Sequence, residues 1–490
     1  MKQVEADVLI IGGGTSGMAA GVAAAELGAK VAVFEKASTT GGTGNMGMGP
    51  FAVESRLQRL KQIPLTREEA FKIFMNYTHW RGDARLVKAY IDKSDSTIDW
   101  LEKMGVEFVE PAAYFPGANF TWHLIKPSGG RPGPMAAGTI MRILTERAQE
   151  LRVQIFLQTP AKKILKEGGR IAGVVAEDRS GKTIQAKAKA VIIATGGFGD
   201  SPEWIKKYTG FEWGRDIFSF RIPGLVGDGI RMTWEVGAGT DGMYMELNYG
   251  MADSSTMATA SAPAALAVFR EPNLVVNLQG ERFVNEEIMI NSTFMGNAIA
   301  RQKNRCAFTI IDEGTKQYYM EHGLNIISVV VANERINDFD ADIKKVIEQG
   351  NKNIFVAASL EELASKTGIN PDGLKKTVDE YNKACEIGHD DIFNKSYKYL
   401  RPVKQPRFYA SRFFPAGYGT RGGIKINYKT EVVTQDQEVI PGLYAAGVDA
   451  NSIHGDTYVM LLPGGGMGFA LNSGRMAGEN AVEYIKSMAK

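Results

Sequence analysis

Cysteine is scarce in this chain: Cys306 and Cys385 stand alone, with no C-x-x-C between them. That excludes a cysteine-ligated iron–sulfur cluster or a c-type haem attachment and predicts two inert thiols. Long apolar runs are missing as well. No window approaches the ~18 or more apolar residues of a membrane span, so no span is expected. Charge of one sign is also lacking, with 57 basic and 55 acidic residues giving a formal balance of +2, which points away from nucleic acid. The chain opens directly on apolar sequence, with no room for a leader peptide, so a cytoplasmic protein is expected. At 490 residues it is too long for one core, and two domains are the prior.

What the chain does have begins at once. Residues 4–11 form an apolar run suited to a buried parallel strand, followed by Gly12-Gly13-Gly14-Thr15-Ser16-Gly17, an Ala-rich helical stretch over 18–27 and a second strand over 31–34 that stops at Glu35 and Lys36. This is a βαβ unit of about 30 residues carrying G-x-G-x-x-G. Gly12 permits the tight turn, Gly14 lets backbone approach a pyrophosphate beside Ser16, and Gly17 lets helix and strand close. The helix N-terminus attracts the phosphate charge. Glu35 is placed to accept hydrogen bonds from both hydroxyls of an adenosine ribose.

A second glycine cluster, Gly41-Gly42-Thr43-Gly44-Asn45-Met46-Gly47-Met48-Gly49, follows within one loop. This arrangement resembles the flavoprotein family of fumarate reductases and 3-ketosteroid dehydrogenases, in which such a loop passes beneath the isoalloxazine ring; FAD is therefore expected over NAD. The resemblance continues at Ala194-Thr195-Gly196-Gly197, after a buried strand, and at Gly227-Asp228-Gly229. It is carried further by Asn273 to Glu286, with Arg282-Phe283-Val284-Asn285-Glu286, then Tyr381-Asn382, Asp390-Asp391 and Phe393, and finally by Gly447, His454-Gly455 and Pro463-Gly464-Gly465-Gly466-Met467. It implies an α/β fold: a Rossmann-like FAD-binding domain (1–245 and 413–490) with an inserted α+β cap, or substrate, domain (246–412). It also implies hydride exchange at flavin N5 across an activated C–C bond.

Local reading fills in the rest. Helices are expected over 68–78, 84–104 (with Gly105 ending it) and 139–151; 111–134 reads as loop; four short strands between 153 and 188 read as a meander. Asp178 to Thr183 is expected to be a hairpin turn rather than a phosphate loop.

Departures from the fumarate reductases bear on substrate. Those enzymes carry an arginine four residues after the Glu of R-F-x-N-E, a histidine before Thr-x-Gly-Gly and an arginine closing His-Gly-x-x-Arg; here these are Ile290, Gly419 and Tyr458. Burying two carboxylates without cationic partners costs several kcal/mol, so fumarate is not expected. The loops look closer to the ketosteroid dehydrogenase branch, although that branch has a tyrosine where Ile290 sits. The expected acceptor is apolar or ring-containing: an enone, steroid or phenolic/isoflavonoid compound. Tyr249, Phe269, Ile290, Gly419 and Thr420 are candidates for its pocket. Tyr418, Tyr458 or Tyr249 is the candidate proton donor, a phenol of pKa ~10 being a competent acid beside stabilising donors. His454 lies near flavin and substrate by resemblance, or holds its loop. Arg270 and Arg421 leave open a monocarboxylic enoate such as an aryl acrylate. A flavin electron-transfer subunit of a larger complex is the reading from another class. No histidine lies between Gly41 and Gly49, so FAD is expected to be non-covalent. No second Rossmann fingerprint is present, so electrons are expected to be exchanged with an external donor or acceptor, a separate protein or a reduced flavin or NADH system.

Overall fold

The computed structural model describes residues 2–219, 222–251, 263–326 and 335–488. The chain divides into two compact units: residues 1–210, 221–246 and 419–490 form the first, and residues 211–220 and 247–418 the second.

The first unit is organised on a six-stranded sheet ordered Glu431–Val433, Val439–Ala445, Ala190–Ile193, Val8–Ile11, Val31–Phe34, Gln154–Phe156. Neighbours are parallel except for the Glu431–Val433 edge. Every residue of Val8–Ile11, Val31–Phe34 and Ala190–Ile193 is buried, which is why these strands read as unbroken apolar runs rather than alternating ones. The helix Thr15–Glu26 is buried from Thr15 to Ala24 and so is made almost wholly of small residues. Against it lies the helix Gly465–Met488, at backbone distance: a Cβ on Gly474 or Gly478 would stand 2.2 Å from the Ser16 carbonyl oxygen or 2.4 Å from that of Ala20.

Three local expectations are corrected. The apolar run over 4–11 is two strands: Lys2–Glu5 joins a separate four-stranded sheet by pairing with Thr183–Lys187, and only Val8–Ile11 enters the Rossmann sheet. The break falls at Asp7, whose carboxylate accepts the Lys30 N–H (3.0 Å) and pairs with Lys189 (2.8 Å). The first of the four supposed meander strands, Gln154–Phe156, instead lines up beside Val31–Phe34, the Phe156 ring packing edge-on against Phe34 at 5.2 Å. Within the stretch read as loop, Trp122–Ile125 is a buried strand paired with Phe108–Ala112, pinned where the Trp122 indole N–H donates to the Gly49 carbonyl (2.8 Å).

Other readings hold. The helix Arg67–Tyr77 starts on a Thr66–Glu69 capping box, and Ala84–Lys103 starts on Asp83 and is followed by Gly105 at φ +96°. Asp178 closes its hairpin by accepting N–H groups from Ser180 and Lys182.

The second unit is α+β. Ala307–Asp312 pairs antiparallel with Leu274–Val276 and with the first half of Phe408–Gly422, which also pairs with Ile354–Ala357. Side chains alternate between two cores. Val275, Ala307, Ile311, Tyr409 and Phe413 face one, with Phe269, Phe339 and Tyr319; Leu274, Val276, Phe308, Ile310, Phe408 and Ala410 face the other, with Leu363, Leu374 and Tyr381. The signature from Arg282 to Glu286 and on to Asp390 proves to be a buried ion cluster. Arg282 donates to both oxygens of Glu286 (2.8 and 2.8 Å) and both of Asp390 (3.0 and 2.8 Å), while Lys395 reaches Glu286 (3.3 Å) and Tyr381 (2.9 Å).

Burial pushes both thiols up, that of Cys385 to about 11, which keeps them protonated and unreactive. No helix among the described residues is long and apolar enough to cross a membrane.

Candidate active site

The dinucleotide cradle lies in the first unit. Gly12 sits at φ +106°, and a Cβ there would stand 2.2 Å from the Ala194 carbonyl oxygen; one on Gly17 would stand 1.9 Å from that of Gly12. Only glycine fits at either point. Gly14 caps the helix Thr15–Glu26 with no side-chain hydrogen bond and no acid in the first turn, so the N-terminal N–H groups keep their dipole uncompensated. A Cβ on Gly14 would meet nothing nearer than 3.9 Å, and one on Gly42 nothing within 4 Å. The two glycine clusters are joined by a bridge between Gly14 and Gly41 and by Gly41 N–H donating to the Gly13 carbonyl (2.9 Å); Thr43 lies in the short 3-10 turn Gly42–Met46 that follows. Glu35 ends the second strand with its carboxylate accepting Gly13 N–H (2.6 Å) and Ala37 N–H (2.7 Å), which fixes its orientation and leaves each oxygen a further lone pair.

Around this core the remaining expected cofactor residues fall into three contacts. Lys36 pairs with Asp228 (2.6 Å), so their charges are largely taken up by each other. Thr195, between Ala194 and Gly196, accepts the Gly229 N–H (3.2 Å). Gly447, at φ +70°, leaves room for Ser16, whose Oγ a Cβ would approach to 2.4 Å. The sequence reading passed over Asp449. Fully buried, it accepts Thr195 N–H and Oγ–H, Gly196 N–H and Gly197 N–H, and so shapes the whole Ala194–Gly197 turn. Burial raises its pKa against the pull of those four donors. Its only sequence signal was an acid two residues beyond Gly447 in apolar surroundings.

A second cluster, in the same unit, surrounds the start of the helix Gly465–Met488. Tyr458 is buried, its oxygen accepting Gly466 N–H (2.8 Å); Met467 follows, its sulfur 3.0 Å from where a Cβ on Gly47 would stand. His454 stacks on the Tyr458 ring (4.4 Å between centroids) and accepts Val459 N–H at Nδ1 (3.4 Å), which places its proton on Nε2. Burial, and then the charge of Arg421, holds the imidazole well below its ordinary pKa, so it is neutral at pH 7. The Arg421 guanidinium lies 5.3 Å from the Tyr458 ring centroid. It donates to the Thr420 carbonyl (3.1 Å) and forms a close ion pair with Glu246, itself 4% exposed. Burial draws the pKa of Arg421 down to about 10, leaving it a cation at neutral pH. Glu246 gave no sequence signal beyond being a charge within a largely apolar strand.

Thr420 faces elsewhere, its Oγ1 accepting Phe198 N–H (3.1 Å). Gly419, half-buried, sits beside Arg421: a Cβ there would stand 3.4 Å from Nη1. Tyr249, Phe269, Ile290 and Tyr418 belong to the second unit. Phe269 is a core residue packed near Phe339 (6.1 Å), Tyr249 donates its hydroxyl to the Met289 carbonyl (3.1 Å), Ile290 ends the 3-10 turn Glu286–Ile290, and Tyr418 is 43% exposed. Arg270 lies over the Tyr249 ring at 4.8 Å.

Several buried polar atoms of the first unit find no partner among the described residues: His454 Nε2, Arg421 Nε, and both amide atoms of Asn451 and of Asn472. Orphans of this kind, beside a glycine cradle with an uncapped helix N-terminus, fit a large polar cofactor. A glycine-built dinucleotide cradle in the same unit as a buried Tyr–His–Arg cluster is the layout of a dinucleotide-dependent enzyme.

Comparison with known proteins narrows this. The chain matches the FAD binding domain family over residues 7–459. It is 32% identical to a vinyl phenol reductase of Lactiplantibacillus plantarum, over 98% of this chain and 96% of that one, and 28% identical to a fumarate reductase (cytochrome) of Shewanella frigidimarina, over 98% and 77%. The crystal structure of 3-ketosteroid delta1-dehydrogenase from Sterolibacterium denitrificans shares the fold, with a TM-score of 0.76 at 20% identity over 98% and 99% of the two chains. The chain belongs to the FAD binding domain family and is an FAD-dependent oxidoreductase acting on CH–CH groups, of the fumarate reductase and ketosteroid dehydrogenase type.

Proposed function

We propose that this enzyme reduces the activated C–C double bond of a neutral, ring-containing acceptor, with a vinyl phenol or an enone as the chemical type. The observation that carries this reading is the electrical neutrality of the Tyr458 cluster: Arg421 is compensated by Glu246, and His454 is uncharged. A dicarboxylate would enter such a site without a spare cation, and an uncompensated buried carboxylate costs several kcal/mol, roughly. A phenol or ketone oxygen needs only hydrogen-bond donors, and His454 Nε2 and Arg421 Nε are two such donors. The name of the 32% identical relative, a vinyl phenol reductase, agrees with a phenolic acceptor.

FAD held by the glycine cradle supplies the hydride. Tyr458 gives the proton to the neighbouring carbon, and the charge then left on its oxygen is met by the Gly466 N–H at the start of a helix and by the Arg421 guanidinium. His454 packs on the ring and fixes its direction. The FAD is non-covalent, in line with a glycine loop free of histidine, and its electrons come from a separate donor. Chemically reduced enzyme mixed rapidly with 4-vinylphenol, an enone, a 3-ketosteroid, 4-hydroxycinnamate and fumarate tests the reading. Reoxidation of the flavin is expected to be fastest with a neutral acceptor; reoxidation by fumarate at the same rate would overturn it.

A further inference from the structure

Arg421 presents its guanidinium edge unevenly. Nη1 is taken by the Thr420 carbonyl and Nη2 by Glu246, while Nε is buried with no partner among the described residues. Nε and Nη2 are the pair of donors that a carboxylate grips side-on through two parallel hydrogen bonds. The space beside the guanidinium is kept bare by glycines, a Cβ on Gly419 or Gly466 standing 3.4 Å from Nη1 or 3.6 Å from Nη2. The fork is therefore shaped for a carboxylate and already half occupied by one from the protein itself.

We propose that Glu246 is a positioning residue that sets the charge selectivity of the site: by holding Nη2 of Arg421 it converts a carboxylate-binding fork into a single neutral N–H donor and repels an incoming anion. This rests on the proposed reduction of a neutral acceptor. Two buried carboxylates on one guanidinium leave one of them uncompensated, so an aryl acrylate and Glu246 compete for the same cation. Replacing Glu246 by Gln keeps the shape and an oxygen acceptor for Nη2, removes the repulsion, and leaves Arg421 its full charge for a ligand.

The test uses FAD-loaded enzyme and reads binding from the perturbation of flavin absorbance, with 4-vinylphenol as the neutral probe and 4-hydroxycinnamate as its carboxylate counterpart. In the natural protein the carboxylate is expected to bind at least about tenfold more weakly than the phenol, and in Glu246→Gln the ratio of the two affinities is expected to move by about tenfold or more toward the carboxylate. A ratio unchanged within twofold in a variant that retains its FAD would overturn the assignment. Equal affinity for both probes in the natural protein would do the same. If Glu246→Gln does not fold, Glu246→Asp decides, because the retracted carboxylate loosens its grip on Nη2: a shift of about threefold in the same direction upholds the proposal and an unchanged ratio overturns it. Should no neutral acceptor bind at all, the proposed function fails on its own. A tenfold gain in 4-hydroxycinnamate affinity in Glu246→Gln then still upholds the role of Glu246, and an unchanged affinity overturns it.

Discussion

Arg282 and Arg421 are both buried arginines paired with a glutamate, yet their surroundings differ in one respect. Arg282 has both of its terminal nitrogens and its Nε engaged by Glu286 and Asp390, with Lys395 completing the cluster. Arg421 Nε finds no partner among the described residues, and nor does Nε2 of the neutral histidine beside it. A saturated cluster holds a fold together and has nothing left to offer a ligand; an unsaturated one is stabilised only when something else arrives. The contrast separates a structural signature from a chemical one in the same chain.

The sharpest way to break the first cluster is Arg282→Ala. It leaves Asp390 in the core without its cation and Glu286 with Lys395 alone, and is expected to destabilise the second unit by about 3–5 kcal/mol. Urea unfolding of the purified variant, or its failure to appear in the soluble fraction, measures this. An effect below about 1 kcal/mol would show the cluster to be dispensable. On the other side of the comparison, Tyr458→Phe keeps the ring against His454 but removes the acid. The chemical step is expected to slow by roughly 100-fold with FAD content unchanged, while Tyr418→Phe, altering a half-exposed residue, changes it only a few-fold. Single-turnover rates decide between the two tyrosines.

Asp449→Asn is a milder perturbation that links the two themes, since this carboxylate is saturated by donors and yet shapes the cofactor turn. Turning one oxygen into an N–H₂ group opposite Thr195, Gly196 or Gly197 N–H is expected to cost about 1–3 kcal/mol and to raise the fraction of protein purified without FAD. The flavin-to-protein absorbance ratio reports it, and full FAD occupancy with unchanged melting would count against the role given to Asp449. The gentlest probe is acid. Burial works to raise the pKa of Asp390, but the hydrogen bonds and charge of Arg282, with the Lys395 and Ile392 N–H groups, outweigh it and hold the carboxyl at about 2. A carboxyl depressed in the folded state stabilises the fold above its unfolded pKa and loses that contribution as pH falls. The second unit is therefore expected to weaken progressively between pH about 4 and about 2, and in Arg282→Ala the Asp390 contribution to that acid dependence is expected to shrink, the Lys395 and Ile392 N–H groups alone then opposing burial.

The dinucleotide-binding unit was legible because its signal is local: Gly12 to Glu35 carries strand, turn, helix and acid in one stretch, and Gly12 and Gly17 each answer to a close backbone oxygen. Asp449 was not, because its donors lie at Thr195 to Gly197, far back in the chain. Glu246 was invisible for the same reason, its partner Arg421 lying beyond residues 247–418 of the second unit. Phe269, expected to line the pocket, is fully buried within a core of the second unit, a setting that an aromatic next to Arg270 does not announce in sequence. The split of residues 4–11 into two strands turned on the ion pair of one aspartate, Asp7 with Lys189, which periodicity does not encode.

The order of strands in the Rossmann sheet also has a bearing on how the protein is made. Val8–Ile11 leaves the ribosome early, gains Val31–Phe34 quickly, then waits for Gln154–Phe156, for Ala190–Ile193 and at last for Val439–Ala445. At about 5–20 residues per second, translation reaches that last parallel strand roughly 12 to 50 seconds after Ala190–Ile193 is complete. Through that interval the outer edge of Ala190–Ile193 is an unpaired, wholly apolar strand, and the helix Gly465–Met488 that seats against Thr15–Glu26 does not yet exist. Until nearly its whole length has been synthesised, the newborn chain therefore carries the kind of unpaired apolar edge that templates pairing with other chains.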